Sequence, residues 1–74
     1  MRTELLDTLG MNCPEPILKI TMKASEMSRG DVLEVVGDAP TFENHVRRWC
    51  ARLGKVFLSV KNEGYKKKRI QIRL

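Results

Sequence analysis

The run Gly10-Met11-Asn12-Cys13-Pro14-Glu15-Pro16-Ile17-Leu18-Lys19-Ile20 sets a thiol against the first turn of a helix, and that helix organises its surroundings. Proline suits a first helical turn, because its fixed φ matches the helix and its missing N–H would have had no intrahelical partner. Pro14 therefore reads as the first helical residue and Cys13 as the N-cap. Beyond them Ile17, Ile20, Ala24 and Met27 recur at helical spacing, with Lys19, Lys23 and Glu26 on the opposite face and Gly30-Asp31 closing the unit. A sulfur at the helix start meets the partial positive charge of that end, which favours its anion. The effect should be modest, since two prolines remove donors and Glu15 repels an anion. An isolated Cys-Pro is more plainly a buried cysteine before a helix. Gly10 and Asn12 make this approach a polar, flexible turn, so the sulfur is expected to be exposed.

Working outward, Leu5 to Thr8 form a short extended segment ending at Gly10. On the other side Val32 to Val36 is rich in β-branched residues and stops at Gly37-Asp38, as a strand does. Phe42, Val46, Trp49, Cys50 and Leu53 make one stripe of a second helix, and Gly54 stands at its C-terminal cap. Val56, Leu58 and Val60, then Lys68, Ile70, Ile72 and Leu74, alternate with their neighbours on either side of Asn62-Glu63-Gly64, which reads as a hairpin. The order is β-α-β-α-β-β. Right-handed crossovers put both helices on one face of a mixed four-stranded sheet and leave the other to solvent. The expected fold is an α/β (α+β) two-layer sandwich, a single domain over residues 1–74.

A chain of 74 residues buries only about 60% of its unfolded surface. That leaves no room for an enclosed substrate cavity beside the core, so function should rest on the surface or on one exposed side chain. Met1-Arg2-Thr3-Glu4 leads into no apolar targeting region, and no stretch of about 18 apolar residues exists to insert into a membrane. Two cysteines are too few for a secreted disulfide framework, which points to a reducing, cytoplasmic setting. The net charge of +5 favours acidic partners, either RNA or an acidic protein surface.

Cys50 lies on the apolar stripe beside Trp49 and reads as core, too far along its helix to bridge to Cys13. His45, the only histidine, falls about one turn into the second helix, near the same sheet edge as Cys13. It either pairs with the thiolate or is a half-exposed helix residue. Two cysteines and one histidine carry no metal-site spacing, so no metal is expected. In strand geometry the basic run Lys66-Lys67-Lys68-Arg69 splits between faces. Lys67, Arg69 and Arg73 should project from the open face, joined by Lys55 and Lys61 with Phe57 among them, and no acidic residue on these two strands opposes them. Such charge is usually a solvated, edge-protecting face; a docking surface is the sharper reading.

From Leu6 to Pro16 the chain resembles the TusA/SirA family of sulfur carriers, whose signature is an Asp, a Gly and then Cys-Pro-x-Pro, here Asp7, Gly10, Cys13, Pro14, Glu15 and Pro16. Length and element order agree over nearly the whole chain. The resemblance implies a two-layer sandwich related to the C-terminal domain of translation initiation factor three. It further implies that Cys13 accepts sulfane sulfur as a transient persulfide, needing no other cofactor, and hands it to an acceptor protein. The donor would be a cysteine desulfurase, a rhodanese or a similar protein. The destination would be tRNA thiolation, molybdenum-cofactor synthesis or sulfur metabolism. A monomeric carrier, not a stand-alone turnover enzyme, is the expectation. Ala39-Pro40 and His45-Val46-Arg47 depart from the family, which often has Asp-Pro and then Asp-Ile-Pro there. Two other classes stand beside this one: a small RNA-binding module using the basic sheet face, and a thiol-based regulator that transfers no sulfur.

Overall fold

Six elements form along the computed structural model, which describes all of residues 1–74. They are β1 (Thr3–Thr8), α1 (Glu15–Ser25), β2 (Val32–Gly37), α2 (Phe42–Leu53), β3 (Val56–Asn62) and β4 (Lys68–Arg73). The expected β-α-β-α-β-β order and two-layer α+β architecture are present. The strands lie in the order β1-β2-β4-β3, with β1 parallel to β2 and both other pairings antiparallel. No helix is long and apolar enough to cross a membrane.

Strand alternation decides which side chains meet the helices. Leu33 and Val35 of β2 stand opposite Ile72 and Ile70 of β4. All four are fully buried in one core with Ile20 of α1 and Phe42, Val46, Trp49 and Cys50 of α2. Gly54, in the left-handed region at φ 70°, ends α2 as its position suggests. Between the helices, Trp49 Nε1 donates to Thr21 Oγ1 at 3.0 Å, and that hydroxyl donates to Ile17 O at 2.9 Å. This pair of bonds fixes α2 against the middle of α1, the helix that follows the loop carrying Cys13.

The hairpin corrects part of the sequence reading. A bulge between Phe57 and Ser59 shifts the register of β3 and resets which residues face the helices. Phe57 packs against the core and lies under Arg47, whose guanidinium carbon is 4.0 Å from the ring centroid. It is therefore absent from the open face. Lys55 precedes β3 and lies at the far end of the molecule, with Ala24, Met27, Leu53 and Leu74. It is remote from Lys61, Lys67 and Arg69, at the end of the sheet where Val56 pairs with Arg73.

The open face also holds acid that inspection of β3 and β4 alone does not show. Arg69 bridges Glu34 of β2, through Nη1, and Glu63 of the hairpin turn, through Nε, at 2.6 and 2.8 Å. Lys67 lies 3.9 Å from the same Glu63. Lys68 points the other way and pairs with Glu43 of α2 at 2.8 Å, as alternation requires. Lys61 and Arg73 are the cations of the group left exposed without an ion pair.

Candidate functional site

Asp7, Gly10, Cys13 and the two prolines occupy the connection from β1 to α1, and that connection is pinned at several points. Thr8 is fully buried, and its hydroxyl donates to Val36 O at 2.7 Å, locking the end of β1 to β2. Asp7 Oδ1 accepts from Leu9 N–H at 2.9 Å, an Asx-type turn. Gly10 adopts φ +79°, a conformation that side chains rarely take. Its N–H donates to Asp38 Oδ1 at 3.0 Å, so the β2–α2 loop helps hold the thiol loop.

The helix begins one residue later than its prolines suggest. Pro14 is the N-cap, α1 starts at Glu15, and no side chain caps it. Glu15 N–H is already bonded to Asn12 O at 2.9 Å, whereas Leu18 N–H reaches Pro14 O at 3.1 Å. Pro14 and Pro16 have no N–H, so Ile17 carries the remaining first-turn N–H without a backbone acceptor. Cys13 thus sits just outside the helix end and not on it. Glu15 is exposed, and Pro16 is buried beneath the loop.

Cys13 is exposed and free, as expected, and Cys50 is free and buried. Burial pushes the Cys50 thiol above its ordinary range, with Arg47 nearby opposing the shift. The exposed sulfur opens into a shallow cleft of about 210 Å³ lined by Cys13, Pro14, Ile17, His45, Arg48 and Arg52. His45 Nε2 lies 3.9 Å from Cys13 Sγ, and His45 Nδ1 lies 3.4 Å from Thr41 Oγ1. The structure therefore brings His45 to the thiol. Thr41 is the N-cap of α2 but its side chain makes no capping bond. Asp38 Oδ1 accepts from Gly10 N–H, so neither Thr41 nor Asp38 caps α2 through its side chain.

Sequence inspection missed Arg48 and Arg52. The signal was present: 45, 48 and 52 follow the i, i+3, i+7 rhythm of one helix face, beside the apolar stripe. What that face meets depended on how α1 packs. No carboxylate lines the cleft. Two guanidinium side chains and an imidazole around an exposed sulfur favour negative charge there, whether on the sulfur or on an approaching reactant. No group of three or more His, Cys, Asp or Glu side chains is arranged to hold a metal.

An exposed cysteine on a pinned loop before a helix, over a two-layer β-α-β-α-β-β sandwich, is the arrangement of a small thiol carrier. The chain belongs to the TusA family of sulfur carriers: the family model for sulfurtransferase TusA matches residues 4–74. It is 33% identical over 58 residues to the sulfur carrier protein TusA of Pseudomonas entomophila (strain L48), covering 78% of this chain and 72% of that protein. The sulfur carrier protein TusA of Pseudomonas paraeruginosa (strain DSM 24068 / PA7) is 29% identical over 59 residues, covering 80% and 75%.

Proposed function

We propose that the protein carries sulfane sulfur as a persulfide on Cys13, within the cytoplasm, taking it from a donor protein and passing it to an acceptor protein. One observation carries the reading. The single exposed thiol opens into a shallow, cation-rimmed, carboxylate-free cleft, while the other thiol is sealed in the core. A carrier needs a sulfur that two different proteins reach in turn, with enough anion stabilisation to hold R–S–S⁻ and little enough to release it. A deep pocket would serve neither exchange.

In loading, the Cys13 thiolate attacks the terminal sulfur of a donor persulfide. The new Sγ–S bond forms as the donor S–S bond breaks, and the donor leaves as a thiolate that takes up a proton. Unloading is the same step with an acceptor thiolate attacking the outer sulfur, so no external oxidant or reductant is consumed. A cysteine desulfurase or a rhodanese is the donor class that fits, and tRNA thiolation, molybdenum-cofactor synthesis or sulfur metabolism is the destination.

The test is intact-mass analysis after incubation with a cysteine desulfurase and cysteine. The wild type and Cys50→Ser should gain one reductant-labile sulfur atom, located on Cys13 by peptide mapping. Cys13→Ser should gain none. Sulfur retained by folded Cys13→Ser would overturn the assignment.

A further inference from the structure

We infer that His45 is a second catalytic residue of the carrier, acting as the proton partner of Cys13; this deepens the proposed persulfide chemistry and rests on it. His45 lies on α2, thirty-two positions from the thiol in sequence, yet its Nε2 is 3.9 Å from Cys13 Sγ inside the shared cleft. Sulfur hydrogen bonds are long, and such contacts tighten when the reactants are in place. The imidazole is also oriented from behind. Thr41 Oγ1 lies 3.4 Å from Nδ1, and a hydroxyl accepting Nδ1–H leaves Nε2 as the nitrogen that exchanges a proton with the sulfur. The residue therefore has an orienting group on one side and the nucleophile on the other, the nucleophile–base–orienter order of activated thiols.

The charged surroundings suit that role. Arg48 and Arg52 of α2 line the same cleft, and exposed Glu15 stands at the start of α1. Asp38, from the β2–α2 loop, is held by Gly10 N–H. A carboxylate at the place of His45 would repel a thiolate, whereas an imidazolium attracts it.

The proton balance closes without another reactant. Neutral His45 takes the thiol proton at Nε2, leaving the Cys13 thiolate and imidazolium. The thiolate attacks the terminal sulfur of the donor persulfide, forming Sγ–S and breaking the donor S–S bond. The departing donor thiolate takes the proton from Nε2, which regenerates neutral His45. The sum is one thiol and one persulfide exchanged for the other pair.

Two measurements separate this inference from the carrier reading. The first is the rate of Cys13 alkylation by iodoacetamide between pH 5 and about 10, spanning the ordinary imidazole and thiol titrations, in wild type, His45→Ala, His45→Gln and Thr41→Val. The second is sulfur loading from glutathione persulfide, a small donor that needs no docking surface. Both His45 variants should lose the imidazole inflection and react about tenfold more slowly at neutral pH in both assays. Thr41→Val should show a smaller loss with the inflection retained. Profiles of both His45 variants superimposable on wild type would overturn the role of His45 even if Cys13 still loads. Glutamine matching wild type while alanine slows would reduce His45 to a neutral hydrogen-bond donor, which also overturns it. If Cys13 never loads in any variant while the alkylation profile shifts as stated, the persulfide reading fails and the proton pairing stands.

Discussion

Two thiols in one small chain meet opposite surroundings, and their difference is the most direct probe of the site. Cys50 is 2% exposed and its thiol is pushed up by burial, so it has neither access nor thiolate. Cys13 is exposed in the cleft. Under native conditions at neutral pH, Cys13 should alkylate about two orders of magnitude faster than Cys50, because the buried thiol reacts only through opening of the fold. Peptide mapping of a timed iodoacetamide reaction measures the ratio, and urea should bring the two rates together. Near-equal rates in the native protein would mean that the second helix opens far more readily than its packing implies.

At the scale of elements, the site depends on how β2 hands over to α2. Gly37 ends β2 against the ring of Phe42, the first residue of α2. A methyl group placed on Gly37 would lie 2.7 Å from two ring carbons of Phe42. That ring is 2% exposed and has no solvent side to swing into. Gly37→Ala should therefore displace the start of α2 and cost about 1–3 kcal/mol. Urea denaturation checks this, with a lower midpoint and an unchanged slope expected. The same shift would carry Thr41 and His45 away from Cys13. Alkylation of Cys13 in Gly37→Ala should accordingly slow at neutral pH, although the substitution touches neither residue.

Across the whole molecule, Glu4, Asp31, Glu34, Glu43 and Glu63 tie segments together, and these five hold their protons less readily in the fold. Lys23 beside Glu4 ties α1 to β1, and that partner, chiefly by hydrogen bonding, lowers the carboxyl below its ordinary range. Asp31 is lowered by the N–H groups of Ser28 and Arg2, Glu34 by Gln71 and Arg69, Glu43 by Lys68 and Arg47, and Glu63 by Arg69. Because these groups stay charged in the fold to a lower pH than in the unfolded chain, the unfolded chain binds more protons in acid. The stabilisation is complete above the ordinary carboxylate range of about 4 and is lost as pH falls through the lower folded values. Thermal melts should be flat from pH 7 down to about 5 and then fall steadily to about pH 3. Asp31→Asn should show a shallower fall than wild type; an identical fall would assign the acid sensitivity elsewhere. The same ion pairs change how the basic face is tested. Arg69 holds β2, β4 and the hairpin turn together, so Lys61 and Arg73 are the positions where charge reversal probes docking without disturbing the sheet.

Local pattern determined the elements and their order. Turn residues at Gly10, Gly37 and Gly54, β-branched strands and helical apolar stripes are short-range signals, and each carried through into the fold. The exposure of the Cys13 thiol was legible too, because a cysteine on a polar turn before paired prolines needs only its immediate neighbours to be read. Tertiary packing decided what alternation could not. The β3 bulge turned Phe57 under Arg47, and Glu34 from a neighbouring strand met Arg69. His45, Arg48 and Arg52 became part of the thiol site only because the Trp49–Thr21 contact sets α2 against α1. Distances between residues far apart in sequence follow from how the helices pack, and no local spacing encodes them.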